Sequence, residues 1–184
     1  MVEHTASQES SLLSEKFINL IMHDGKKARA RDLFFEMATL VKTRLHRDLD
    51  KKGTHDTNVL DPIAQGTSVL GFAQGIPQTK TIAVLLNQAL ENTMPSLEVR
   101  RVRIAGSTYL VPSMLSKKKQ ESIAMRWILE AARQRKKKAR LGFAECLSEE
   151  ILDALKKQGG PRQKRDELHR IAQINRAYSR YRWW

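Results

Sequence analysis

Six runs of cationic side chains carry the chemistry this sequence can offer. They are Lys26, Lys27, Arg29 and Arg31; Arg100, Arg101 and Arg103; Lys117, Lys118 and Lys119; Arg133 to Arg140, with Arg135 and Lys136; Arg162 to Arg170, with Lys164 and Arg165; and Arg176 to Arg182, with Arg180. Grouped guanidinium and ammonium groups neutralise phosphates and gain affinity by releasing condensed counterions. The last run is interleaved with Tyr178, Tyr181, Trp183 and Trp184. Such rings can stack unpaired bases while the arginines hold the backbone. Two bland readings compete: the cations only solvate helix faces, and the aromatic tail folds back on its own core. The formal charge of +13 over 184 residues weighs against the first, because a compact chain with that self-repulsion calls for a polyanionic partner.

Other chemistries find less support. Two His-Asp pairs, His23-Asp24 and His55-Asp56, have the form used by metal-dependent phosphohydrolases. The first reads as a helix end and the second falls in an irregular stretch, and neither brings further ligands with it. No phosphate-cradling GxxxxGK[ST] loop and no GxSxG elbow is present, so nucleotide-driven and nucleophilic chemistry lack a site. One cysteine, Cys146, excludes an internal disulfide and reads as a small apolar residue on a helix. No catalytic residue, metal site or cofactor is expected. A lipid-surface role would need amphipathic helices with apolar faces to spare, whereas each stripe here is needed for a core. No run approaches the roughly 18 apolar residues that span a bilayer. Nor is there a charged region followed by an apolar block at the start, so neither insertion nor secretion is expected.

These side chains have to be positioned by helices and one ribbon. Residues 1–10 read as a flexible segment and 11–184 as one domain. Leu13, Phe17, Leu20 and Ile21 predict a first helix ended by Asp24-Gly25. Leu33, Met37, Leu40, Val41 and Leu45 form the stripe of a second, whose first turns carry the Lys26–Arg31 cations against the macrodipole. Periodicity is lost over 49–79, where glycines and prolines recur, and the segment reads as an irregular insertion. Ile82, Leu85, Leu86, Ala89 and Leu90 predict a third helix closed by Pro95. Residues 97–112 read as a two-stranded ribbon turning at Ala105-Gly106-Ser107, with a bulge or twist near Arg100-Arg101. Ile123, Trp127, Ile128 and Ala131 mark a fourth helix. Phe143, Leu147, Ile151, Ala154 and Leu155 mark a fifth, stopped by Gly159-Gly160-Pro161. Leu168, Ile171, Ala172 and Tyr178 mark a sixth. The fold class is mainly α: about six helices with a protruding β-hairpin and a basic, aromatic tail over 176–184.

Several segments together resemble one family. They are Lys16-Phe17-Ile18-Asn19 through Met22-His23-Asp24-Gly25-Lys26-Lys27, Ala89-Leu90-Glu91-Asn92 with Pro95, and Glu98-Val99-Arg100. Ala105-Gly106-Ser107-Thr108-Tyr109 with Val111-Pro112 follows, then Ala124-Met125-Arg126-Trp127-Ile128, Glu130-Ala131-Ala132-Arg133 and Tyr181-Arg182-Trp183. In this order, over most of the chain, they resemble ribosomal protein S7. The resemblance implies a structural constituent of the small ribosomal subunit that binds the 3′ major (head) domain of its ribosomal RNA. It also implies a part in assembling the head, with the hairpin near exit-site tRNA and the mRNA path, and neighbouring head proteins as further partners. Carried over by position, the implied binding residues are Lys26, Lys27, Arg100, Arg101, Arg103, Tyr109, Arg126 and Arg133. Arg29, Arg31, Lys117, Lys118, Lys119, Arg135, Lys136, Lys164, Arg165, Arg180, Arg182 and Trp183 join them from the charge and aromatic runs.

The chain departs from the bacterial pattern in its polar opening, Met1-Val2-Glu3-His4, where bacterial members carry a basic arm, and in the length of 49–79. Arg182-Trp183-Trp184 and the stretch from Glu145 to Ala154 look closest to mitochondrial members of plants and algae. A mitochondrial ribosome is therefore the expected location, with chloroplast and bacterial cytoplasm as alternatives. No Arg-rich presequence is visible, which fits an organellar gene or a processed product. Among binding functions the alternative is a free-standing RNA chaperone, which would not cosediment with a subunit at stringent salt.

Overall fold

The computed structural model describes residues 2–52 and 78–184. They belong to two compact units, one within 1–85 and the other within 86–184. Among the described residues no helix is long and apolar enough to cross a membrane.

In the first unit, α1 (Val2–Ile21) packs on α2 (Lys27–Lys52). The helix α1 starts at Val2, well before the expected Ser11. Residues 2–10 contain no Gly or Pro to stop a helix, yet offer no apolar stripe to reveal one. Phe17 and Phe34 meet with ring centroids 6.3 Å apart, and Met37 and Val41 are buried with them. The buried arc of α2 is Ala30, Phe34, Met37, Ala38 and Val41, while Leu33, Leu40 and Leu45 are half-buried. Phe34 has more apolar surface to hide than Leu33, so the helix presents that arc. Asp24 and Gly25, at φ 52° and 71°, turn the chain between α1 and α2, where the Lys26 N–H donates to the His23 carbonyl at 3.0 Å. Of the expected insertion 49–79, α2 continues through Lys52 and the next helix begins at Gln78. Residues 53–77, with His55-Asp56, lie outside the described residues.

After α3 (Gln78–Thr93) come β1 (Leu97–Ile104) and β2 (Ser107–Met114), then α4 (Lys117–Lys138), α5 (Phe143–Leu155), α6 (Gly160–Ile174) and a 3-10 helix over Arg176–Tyr181. The ribbon turns through two residues, Ala105 at φ 47° and Gly106 at φ 83°. Two positive φ values make this a type I′ turn, whose twist matches that of the strands. Pairing runs unbroken from Ile104↔Ser107 to Leu97↔Met114, so the bulge expected near Arg100-Arg101 is absent. The adjacent arginines fit the alternation, because they fall on opposite faces of the ribbon.

The second unit's core is set by α4, which packs on α5 and α6. Its buried residues are Ala124, Met125, Ile128, Leu129, Ala131 and Ala132. Spacing puts Met125 off the core stripe, yet it is buried, and Trp127 is only half-buried. Packing between two helices needs a wider arc than one stripe predicts. Gly159-Gly160-Pro161 does not stop α5 but starts α6, with Gly159 as N-cap and Pro161 in the first turn. There the missing proline N–H costs nothing. Asn92 ties three helices. Its Nδ2 donates to the carbonyls of Ala154 and Leu155 at 3.1 and 3.3 Å. Its own carbonyl accepts from Nη1 of Arg162 and of Arg165, each at 3.0 Å.

Candidate nucleic-acid interface

In the first unit, Lys26 immediately precedes α2 and Lys27, Arg29 and Arg31 lie on its first two turns; Lys27 is half-buried and the other three are exposed. None of the four has an ion-pair partner among the described residues. Four unscreened cations at a helix N-terminus oppose the macrodipole, at about 0.3–1 kcal/mol for each unfavourable placement. An anion bound there would reverse that sign.

In the second unit, α4 divides cleanly. Its apolar arc is buried, and Lys117, Lys118, Lys119, Arg126, Arg133 and Lys136 are all exposed. Lys119, Arg126 and Arg133 recur every seven residues, which lines them along one side of the helix. None of these has an ion-pair partner among the described residues, so their charge is open to an external anion.

Arg135 and Arg165, expected among the phosphate-facing cations, are instead committed inside the chain. Arg135 forks across three carboxylates: Nε to Glu150 at 2.7 Å, Nη1 to Glu149 at 2.9 Å and Nη2 to Asp153 at 2.6 Å. Burial works against its charge, but the hydrogen bonds to Glu149 and Asp153 and the field of Glu150 and Asp153 outweigh it and hold the guanidinium more firmly charged than usual. Glu150 is buried, and its Oε2 has no hydrogen-bond partner among the described residues. Burial pushes its carboxyl above the ordinary range, opposed by Arg135. Arg165 holds the Asn92 carbonyl and pairs with Asp166 at 2.8 Å. For Arg135 no local pattern shows which carboxylates fold against it, since Glu149, Glu150 and Asp153 come from the next helix, whereas the carboxylate beside Arg165 is its sequence neighbour Asp166 and only the Asn92 carbonyl comes from afar. Lys164 pairs with Glu130 at 2.8 Å, but both are substantially exposed, so a phosphate can exchange for the carboxylate.

The ribbon and the tail form one assembly. On the face holding Arg100, Val102, Tyr109 and Val111, the Tyr109 ring lies 5.0 Å from that of Tyr178 and 5.4 Å from that of Tyr181. The fold-back reading of the tail therefore holds for both tyrosines, and Tyr109 is a packing residue as well as a candidate ligand. Arg180 lies over the Tyr181 ring at 5.3 Å, and Arg182 Nε donates to the Trp184 carbonyl at 3.2 Å. Arg100 pairs with Glu98 and stacks on Trp184, 5.2 Å from the ring centroid. Trp183 points outward and is 81% exposed. Beside β1, Arg100, Arg101, Val102, Arg103, Trp183 and Trp184 line a groove of about 280 Å³. The sequence shows Trp184 as an aromatic near cations. What spacing does not give is that it closes on Arg100, some eighty residues earlier, because the two meet only once the tail folds back.

His23 Nδ1 lies 2.8 Å from Asp24 Oδ2 on an exposed helix end, and no group of three or more metal-ligating side chains occurs among the described residues. Cys146 is buried, and burial, with Glu149 beside it, pushes its thiol up, away from thiolate reactivity.

The family model described as ribosomal protein S7p/S5e matches residues 1–176. The chain is similar to small ribosomal subunit protein uS7m of Prototheca wickerhamii, with 37% identity over 211 aligned positions covering 98% of this chain and 95% of that protein. It is similar to uS7m of Arabidopsis thaliana at 32% identity, covering 96% of each chain. It is also similar to small ribosomal subunit protein uS7 of Nitratiruptor sp. at 34% identity, covering 91% of this chain and 85% of that one.

Proposed function

This chain belongs to the ribosomal protein S7p/S5e family and is a structural, non-enzymatic component of the small ribosomal subunit, and from that premise we propose that it binds the 3′ major domain of small-subunit RNA and helps fold the head. The observation that carries the reading is the set of cations that have no ion-pair partner among the described residues: Lys26 just before α2 and Lys27, Arg29 and Arg31 on it, Lys119, Arg126 and Arg133 on α4, and Arg101 and Arg103 on the ribbon, all exposed but the half-buried Lys27. Each contact to phosphate is modest. Contacts that hold separate RNA segments raise the effective concentration of those segments for one another, so binding one favours folding of the next. The protein acts as a clamp on RNA. Its ribbon, with Arg101 and Arg103 near the turn, reaches toward exit-site tRNA and the mRNA path. Neighbouring head proteins are its other contacts. The relatives named uS7m support the mitochondrial ribosome as its location.

The test is binding to a transcript of the 3′ major domain against a 5′-domain transcript of similar length, across a salt series. A preference for the first that persists as salt rises is expected. Replacing Lys26, Lys27, Arg29 and Arg31 together with Ala should flatten the log K against log salt slope by up to about 3.6, at roughly 0.7–0.9 for each phosphate no longer neutralised. Equal affinity for the two transcripts, collapsing together with salt, would reject the head-binding reading and leave the charge as generic.

A further inference from the structure

The groove beside β1 has more in it than phosphate neutralisation requires. One wall is a pair of tryptophans. Trp184 is held from behind by Arg100, and Trp183 meets it edge to face, with centroids 5.8 Å apart at 89°. That contact gives the Trp183 ring one neighbour and leaves it 81% exposed.

The other wall is the open edge of β1. A two-residue turn closed by Ile104↔Ser107 makes 104/107, 102/109, 100/111 and 98/113 the hydrogen-bonded pairs. The peptide N–H and C=O groups of Arg101 and Arg103 therefore point away from β2, into the free edge. Their guanidinium groups are exposed and have no ion-pair partner among the described residues.

An exposed aromatic face, outward peptide donors and acceptors, and two guanidinium groups without an ion-pair partner among the described residues thus share one small space. An unpaired nucleotide needs these three things: a surface for its base, partners for the base edge, and cations for its phosphates. We propose that this groove takes a single unpaired RNA nucleotide, its base stacked on Trp183 and its flanking phosphates held by Arg101 and Arg103. The space, about 280 Å³, lies just below the ~300 Å³ at which pockets for larger ligands begin, which suits one base. An extended peptide pairing with the β1 edge is disfavoured, because the arginines would leave any but an acidic strand with uncompensated charge. The inference rests on the RNA-binding reading above and adds to it the kind of RNA element recognised at this place.

The full chain is titrated with fluorescently labelled penta-adenylate and with the same oligomer carrying an abasic central residue. Trp183→Ala should weaken penta-adenylate binding about tenfold, within the range of one base stack, and Trp183→Phe by no more than about threefold. The abasic oligomer should bind the native chain more weakly by a similar factor, with no further weakening on Trp183→Ala. Arg101→Ala with Arg103→Ala should reduce the salt slope by about 1.4, two phosphates on a single strand. An unchanged thermal transition in Trp183→Ala, expected for so exposed a ring, separates these effects from folding.

Affinity unchanged within about twofold in Trp183→Ala overturns the proposal. So does an additive response to the abasic site and Trp183→Ala, or an oligoglutamate peptide that binds more tightly than penta-adenylate through Trp183. If Trp183→Ala has no effect while the 3′ major domain preference stands, only the groove assignment fails. If that preference is missing while the oligomer results hold, it is the head-binding reading that fails.

Discussion

Replacing Arg135 with Ala removes the only hydrogen-bond donor that a buried carboxylate has among the described residues. The Glu150 side chain is 5% exposed, accepts from Arg135 at 2.7 Å, and has no partner for Oε2 among them. Breaking a buried pair by removing one member costs about 3–5 kcal/mol. Arg135 is itself 31% exposed, and water entering the vacated space will solvate Glu150 in part. The contacts to Glu149 and Asp153, each about a third exposed, add at most a few tenths each. A loss of about 2–3 kcal/mol at pH 7 is therefore expected. The loss must depend on pH. Without Arg135 the folded-state pKa of Glu150 rises further above its unfolded value. The penalty is then full above the folded pKa and shrinks as pH falls toward the ordinary carboxylate range, by up to about 1.36 kcal/mol per pH unit. Urea denaturation of Arg135→Ala at pH 7 and pH 5, alongside the native chain and Glu150→Gln, measures both effects. Adding Glu150→Gln to Arg135→Ala should recover about half of the loss or more. A cost under about 1 kcal/mol, or one that is the same at both pH values and in the double variant, would refute the claim that Glu150 is held by Arg135.

Three further perturbations test other parts of the fold. Ala105 holds a left-handed conformation at φ 47°, so Ala105→Gly should stabilise the second unit by about 0.5–1 kcal/mol, read as a raised midpoint in thermal unfolding with RNA affinity unchanged. Gly159 sits at φ 90°, and an added Cβ would lie 3.1 Å from Asp153 Cβ. Gly159→Ala should therefore cost about 1–3 kcal/mol and lower the urea midpoint. His169 Nε2 accepts the Ser96 N–H at 3.2 Å, which requires a neutral ring at that atom. Burial and Arg165 hold its pKa below the ordinary value. The unfolded chain then takes up the proton first, so stability is full above the ordinary histidine range and is lost as pH falls through it toward the folded pKa. Nuclear magnetic resonance titration of the ring should give a midpoint below 6.5, and a midpoint above that value would contradict the acceptor role.

Elements with strong local signals are legible in the sequence, and the packing between elements is not. The ribbon is written in Val99, Val102, Tyr109 and Val111 around Ala105-Gly106, and α5 in Leu147, Ile151 and Ala154. The start of α1 at Val2 carries no such signal, because a polar segment without Gly or Pro is compatible with either helix or coil. Gly159-Gly160-Pro161 reads as a stop because glycine ends helices more often than it begins them. Only Pro161 in the first turn of α6 distinguishes the two. Of the cationic runs, Lys117 to Lys119 stay together on one exposed turn of α4, and Lys26 to Arg31 stay together at the start of α2, with only Lys27 half-buried. The grouping does not show that Arg135 and Arg165 have partners within the chain, brought in by α5 for the first and by the end of α3 and the neighbouring Asp166 for the second.

The balance of charge also fixes how salt should act, and the sign differs between the free and the bound protein. A charge of +13 with the exposed cations of α2 and α4 left unpaired destabilises the compact state by self-repulsion. That repulsion is screened over about 10 Å at 0.1 M salt. Raising salt should therefore raise the thermal midpoint of the free chain. In the complex the same cations sit on phosphates, and salt weakens them by taking away the gain from counterion release. The added stability that RNA confers on the folded protein should accordingly shrink as salt rises. Melting curves with and without the 3′ major domain transcript, taken across one salt series, should converge from opposite directions. Parallel curves would mean that the exposed cations are not the groups that RNA occupies.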